Sequence, residues 1–190
     1  LKCLVLGISG GLDSAIVAAL CQEKFIGVPL YGMSIPINSS EVHIERAIYV
    51  GDVYCTKFQV NYTFDKEFNQ IKNYFDASYF TDVTDDMTIG NIKARLRMMA
   101  LYDLAKKAGG AVLSTDNFSE YNAGFWTLHG DVGDIAPIQS LWKGLELPML
   151  ARQLGIREDI IEAKPSDGLA VTDEDTDEAQ IGMDYITFDK

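Results

Sequence analysis

The chain has 190 residues, 47% apolar and 23% charged, with a formal net charge of −12. That length and balance suit one soluble domain over residues 1–190 with a sizeable core. The negative charge argues against nonspecific binding to nucleic acid, whose phosphates select basic surfaces, and no apolar run is long enough to span a membrane.

The first apolar run, Leu4-Val5-Leu6, is predicted as a strand. It starts so near residue 1 that an N-terminal segment is expected to precede it. The run feeds the stretch Gly7-Ile8-Ser9-Gly10-Gly11-Leu12-Asp13-Ser14, then Ala15 to Leu20, which has no Pro or Gly to interrupt a helix. Strand, glycine turn and helix N-terminus together present backbone N–H groups and a positive dipole end to an anion. Ser9 and Ser14 add hydroxyl donors, and the glycines let backbone approach a ligand closely. Asp13 repels a phosphate unless a cation lies between them. The stretch therefore reads as a phosphate cradle with its own metal ligand, against the plainer alternative of a Gly-Ser turn before a buried helix.

Phe25 to Ile35 is rich in strand formers and predicts a second buried strand ending at Pro36. Asn38-Ser39-Ser40 offers N-caps to a helix whose buried face is Ile44, Ala47, Ile48 and Gly51. Lys57–Val60 predicts a third strand, and Phe64, Phe68, Ile71 and Phe75 form a core-facing helical stripe. Phe80 to Thr88 is polar and acidic, a predicted loop. Ile89, Ile92, Leu96 and Met99 mark a long helix stopping at Gly109-Gly110, and Ala111–Thr115 a fourth strand. Gly124 to Asp134 mixes aromatics, glycines and acids without periodicity, a composition that marks functional loops. Leu145–Leu154 and Arg157–Ala163 predict short helices, and Asp173–Glu178 an acidic loop.

Strands alternating with helices predict an α/β fold, a doubly wound parallel sheet with helices on both faces, Rossmann-like. Ligands of such sheets bind at the carboxyl ends of the strands, so the loops after Leu6, Ile35 and Ser114 should share one edge. Cys3, Cys21 and Cys55 form no CxxC pair and read as free thiols of a reducing, cytoplasmic compartment. Asp13 and Glu120 follow predicted strands at that edge; with phosphate oxygens they make a hard site suited to Mg²⁺. Thr115 stands at the mouth of the same strand, within reach of a nucleotide or bonding only to backbone. Of the helix cations, Lys93 and Arg97 share a face while Arg95 points elsewhere. His129 has no Ser or Cys nucleophile as partner.

Ser9-Gly10-Gly11-Leu12-Asp13-Ser14 resembles the SGGxDS signature of the N-type ATP pyrophosphatases, which split ATP between its α and β phosphates. The lack of a GxxxxGK[ST] lysine agrees with a loop that holds departing pyrophosphate. Within that superfamily the chain resembles NAD synthetases, through Asn91–Met98, Ser114-Thr115-Asp116-Asn117, Gly124–Asp134, Lys164-Pro165-Ser166 and Asp177-Glu178 followed by Ile181–Tyr185. The resemblance implies an adenine nucleotide alpha hydrolase-like fold and ATP contacts from Gly7, Ile8, Ser9, Gly10, Gly11, Leu12, Asp13, Ser14, Thr115, Lys143 and Ser166. It implies Mg²⁺ on Asp13 and Glu120, catalytic roles for Asp13 and Lys143, and deamido-NAD binding by Arg95 and Asp134.

The implied reaction is amidation of deamido-NAD to NAD through an adenylate, with AMP and pyrophosphate released and ammonia as nitrogen donor. Ammonia is implied because nothing in the chain resembles a glutaminase or nitrilase domain. The family is dimeric, so a homodimer is expected. Three departures stand out: Leu128 replaces a family lysine, with His129 beside it as the substitute contact; Asp131–Asp134 is one residue short; and the chain stops at Lys190, before the family's last dinucleotide contacts. The alternatives are a GMP synthetase-like amidotransferase, a tRNA-modifying ligase, or a non-enzymatic adenine-nucleotide binding module. The acidic charge and missing cysteine pairs weigh against sulfur transfer to tRNA.

Overall fold

The first strand alternates its side chains between two apolar cores, and that alternation sets the layering. In the computed structural model, which describes residues 1–78, 86–166 and 176–190, Leu4 and Leu6 of β1 (Leu4–Gly7) enter one buried cluster and Val5 enters the other. Successive strand residues point to opposite faces, so a strand that is apolar throughout requires cover on both. β2 (Leu30–Ser34), β3 (Lys57–Val60) and β4 (Ala111–Val112) complete a parallel sheet in the order β3-β2-β1-β4.

Parallel neighbours require crossovers, which the helices supply. α1 (Leu12–Lys24) and α2 (Glu41–Tyr54) cover the first face, burying Ile16, Val17, Ala47 and Val50 with Leu4 and Leu6. α3 (Phe64–Ser78) and α4 (Asp86–Ala108) cover the second, where Phe68, Leu96, Met98 and Leu101 meet Val5 and Val112. α5 (Phe118–Ala123) follows β4. α6 (Glu146–Gln153) and α7 (Glu158–Ile161) then extend the first layer through Leu147, Ala151 and Ile160, all fully buried. α8 (Asp177–Ile181) and α9 (Tyr185–Phe188) close the described chain. Strand order reverses beside β1, where β2 lies on one side and β4 on the other, and a doubly wound sheet opens its ligand crevice at such a point. The α/β expectation holds.

Several local expectations shift. β2 starts at Leu30 rather than Phe25, because Gly27 takes φ +85° and the Val28 amide donates back to the Phe25 carbonyl. β4 stops at Val112: the Leu113 amide still donates to the Val5 carbonyl at 2.8 Å, but Leu113 forms only an isolated bridge with Ile135, and the Ser114 amide donates to the Ile135 carbonyl at 2.7 Å. Ile48 and Met99 are exposed, so α2 buries Ala47 and Val50 and α4 buries Leu96, Met98 and Leu101 instead. Of the acidic stretch 80–88, residues 80–85 lie outside the described residues, and Asp86 to Thr88 already belong to α4. Residues 173–175 lie outside them too, whereas Asp177 and Glu178 open α8, capped by the Thr176 hydroxyl accepting from the Ala179 amide.

Candidate active site

The cradle after β1 is shaped by one glycine. Gly10 sits at φ +86°, in the left-handed region, and a Cβ there would run into the His43 carbonyl oxygen and lie 3.1 Å from the Ala47 amide nitrogen. Glycine alone lets this turn pass so close beneath α2. Ser9 Oγ accepts from the Gly11 amide at 3.2 Å and lies 3.1 Å from Ser14 Oγ, which donates to the Gly11 carbonyl at 3.0 Å. The hydroxyls thus pin the turn. Among the described residues no side chain caps the N-terminus of α1, whose dipole end faces the turn.

This turn forms one wall of a cavity of about 580 Å³ that is also lined by Ser34, Ile35 and Pro36 at the end of β2 and by Thr115 and Asp116 after β4. The three loops therefore share one edge, as parallel topology requires. Lys143, delivered by the irregular stretch after α5, is buried at the same edge. Its Nζ lies 2.7 Å from Glu120 Oε1, 3.0 Å from Asp177 Oδ2 and 3.4 Å from Asp13 Oδ2, and 4.8 Å from the centre of the Tyr185 ring. The Ser119 hydroxyl accepts from the Lys143 amide at 2.8 Å and donates to Asp189 Oδ1 at 2.6 Å, which fixes the backbone of this segment.

Burial raises the Glu120 carboxyl to about 7, with Lys143 opposing and Asp13 and Asp177 reinforcing the rise. Burial disfavours the Lys143 ammonium, but Asp13, Glu120 and Asp177 overcome this and hold its pKa well above the usual lysine value. Asp116 is raised by burial, against a hydrogen bond from Ser114. The centre is therefore acid-rich, with the Lys143 ammonium set among three carboxylates. Such an arrangement is built to manage anionic charge through positioned charges.

The family model described as NAD synthase matches residues 1–190. The chain belongs to the NAD synthase family. It is 35% identical to the NH(3)-dependent NAD(+) synthetase of Alkaliphilus oremlandii, covering 100% of this chain and 76% of that protein. It is 39% identical to the protein of the same description from Methanococcoides burtonii, covering 98% and 69%. The structure of NMN synthetase from Francisella tularensis superimposes with a TM-score of 0.88 at 28% identity, covering 99% of this chain and 75% of that one.

In this NAD synthase family member the cavity is lined by Gly7, Ile8, Ser9, Gly11, Asp13, Ser14, Thr115, Glu120, Lys143 and Ser166, nearly the whole expected ATP and metal set. Gly10 and Leu12 shape the turn without lining it. Arg95, His129 and Asp134 stand outside the cavity. Arg95 Nε donates to the Leu128 carbonyl at 3.2 Å, and Asp134 accepts from the Val112 amide at 2.8 Å and the Tyr102 hydroxyl at 3.1 Å. Arg97 lines the cavity, donating to the Ile35 carbonyl at 3.1 Å, while Lys93 is buried above the Phe68 ring.

Residues that the sequence left unassigned complete the site. Asn117, Asp177 and Tyr185 brace Asp13, Glu120 and Lys143, and His43 and Asp131 line the cavity. The spacing Asn117-x-x-Glu120 is a readable capping-box signal. For a metal, the donor chemistry fits Mg²⁺. Asp13 and Glu120 converge on one ammonium and offer hard oxygens, and among the described residues no cluster of three or more ligands could hold a metal by itself. Mg²⁺ characteristically takes one or two carboxylates and completes its shell with substrate phosphates and water.

Proposed function

We propose that this chain is an ammonia-dependent ligase that amidates deamido-NAD to NAD at the expense of ATP. The observation that carries the reading is the convergence of Lys143, Asp13 and Glu120 at the mouth of the Gly7–Ser14 turn. The turn and the α1 N-terminus hold the β and γ phosphates, Thr115 and Ser166 flank the nucleotide, and Lys143 neutralises charge that builds on the departing pyrophosphate. The acceptor carboxylate attacks the α-phosphorus to give an adenylate and pyrophosphate; ammonia then attacks the activated carbonyl and AMP leaves. Asp13 and Glu120 would hold Mg²⁺, which supplies Lewis-acid stabilisation of the phosphate oxygens. Both nucleophiles in this chemistry are substrates, so it requires no side-chain nucleophile.

The deciding assay combines the protein with ATP, Mg²⁺, ammonium and deamido-NAD and measures NAD and AMP. Stoichiometric NAD and AMP are expected. Pyrophosphate release without NAD would move the reading to another acceptor, and nucleotide binding without turnover on any acceptor would reduce the protein to a binding module.

A second acceptor, nicotinic acid mononucleotide, is favoured by two observations. The Francisella tularensis protein superimposed at a TM-score of 0.88 is an NMN synthetase. The candidate dinucleotide contacts Arg95 and Asp134 are already engaged in internal hydrogen bonds, beside an exposed Leu128 where the family pattern has lysine. Comparing kcat/KM for the two acceptors decides between them.

We also assign a homodimer, a single domain and a cytoplasmic location to this chain. Exposed Met99 and Tyr102 on α4, which carries Arg95, and Leu128 and Val132 in the loop after α5, which carries Asp134, give an apolar surface suited to a second copy. Mass measurement in solution tests it. Cys3, Cys21 and Cys55, all free thiols, suit a reducing compartment.

A further inference from the structure

Lys143 faces three carboxylates, yet two of them are the residues that fit a divalent cation. Asp13 and Glu120 cannot serve a metal and remain full counter-ions of a buried ammonium, since the cation competes for the same oxygens and repels Lys143. A buried charge stripped of its partners is costly, so the site needs an anion that stays with the lysine. Asp177 is that group. It is 1% exposed, and its Oδ2 accepts from Lys143 Nζ at 3.0 Å and from the Tyr185 hydroxyl at 3.2 Å. Its Oδ1 has no hydrogen-bond partner among the described residues, so the carboxylate's bonding is spent on the lysine side.

The frame around Asp177 is local and closed. Thr176 caps α8, Glu178 Oε1 accepts from the Tyr185 amide at 3.1 Å, and the Tyr185 ring sits 4.8 Å from the ammonium. We propose that Asp177, held by Tyr185, is a positioning residue: the permanent counter-ion that keeps Lys143 in the site once Asp13 and Glu120 are committed to a metal–nucleotide complex. This rests on the metal–nucleotide reading above but not on the identity of the acceptor.

The test is a binding cycle without turnover. Wild type, Asp177→Asn, Lys143→Met and the double variant are titrated with the Mn²⁺ complex of α,β-methylene-ATP, followed by water proton relaxation. Asp177→Asn should weaken binding about tenfold, the scale of outer-sphere substitutions at metal sites. In the Lys143→Met background the same substitution should have no further effect, because the competition it creates is gone. A merely structural role would subtract equally in both backgrounds. Equal binding by wild type and Asp177→Asn, or an Asp177 effect that persists without Lys143, overturns the proposal. If Asp177→Asn does not fold, Tyr185→Phe should weaken binding by a smaller factor with the same dependence on Lys143, and no shift there overturns it. Failure of wild type to bind the complex sinks the metal–nucleotide reading and this proposal together. Binding as expected but no amidation of either acceptor sinks only the acceptor reading.

Discussion

Asn117 donates from Nδ2 to Asp13 Oδ1 across 3.2 Å, tying the N-cap of α5 to the start of α1. The same side chain accepts from the Glu120 amide at 3.0 Å, and Glu120 Oε2 accepts from the Asn117 amide at 3.3 Å. One fully buried residue therefore sets the positions of both carboxylates proposed for the metal. Asn117→Ala removes the α5 cap and leaves Asp13 short of a donor, which should cost about 1–3 kcal/mol of stability. It should also raise the Mg²⁺ concentration for half-maximal turnover by about tenfold or more. Thermal unfolding and a Mg²⁺ titration of activity measure the two effects separately. A variant that loses stability while keeping its Mg²⁺ dependence would reduce Asn117 to a helix cap.

Gly10→Ala tests the cradle. The backbone there is left-handed, and the new methyl would be driven into the His43 carbonyl. Strain of this kind costs about 1–3 kcal/mol, and the turn must open away from α2 to relieve it. Binding of ATP, followed by calorimetry, should be lost or weakened much more than the melting temperature falls. Unchanged affinity would mean that the phosphates do not rest on this turn.

Local chemistry was legible in the sequence, and long-range bracing was not. Gly10, Ser9 and Ser14 declare themselves because a phosphate cradle is built from consecutive residues. Thr115 and Glu120 followed from the rule that ligands gather at strand ends, which needs only the alternation of strand and helix. Asp177 read as part of the acidic loop Asp173–Glu178 and as one of the family-like blocks, without a role of its own; its burial comes with meeting Lys143, 34 positions earlier in the chain. β4 ended early for a similar reason: the Leu113–Ile135 bridge forms through a segment with no strand periodicity. The reversal of strand order beside β1 likewise depends on pairing between distant residues, on which hydrophobic spacing is silent.

Leu128 offers a way to separate the two acceptors. Its side chain is exposed, and its carbonyl accepts from Arg95, so a lysine side chain is accommodated without disturbing the backbone. Leu128→Lys should change stability by less than about 0.5 kcal/mol. If the dinucleotide passes this face, the new ammonium should lower its KM by about tenfold through a charge-assisted contact. The KM for ATP, whose proposed site is the cavity beyond, should stay put. Steady-state kinetics with both pyridine nucleotides give the answer, and an acceptor preference that does not move would place the second half of the substrate elsewhere.

Glu120 makes the stability of the metal-free protein depend on pH. Burial raises its carboxyl from 4.5 to about 7, so between those values the folded state holds a proton that the unfolded state has released. Stability must then fall as pH rises through this window. The Lys143 ammonium, held above its usual value, stays charged throughout it and adds no slope. Glu120→Gln mimics the protonated carboxyl. The stability difference between wild type and this variant should shift against wild type from pH 5 to pH 8, read by urea unfolding in the presence of a chelator. Mg²⁺ with nucleotide, which favours the ionised carboxylate, should stabilise wild type more at pH 8 than at pH 6 and Glu120→Gln little at either. Parallel pH profiles for the two proteins would show that Glu120 is ionised in the folded state well below pH 7, with Lys143 rather than burial setting its charge.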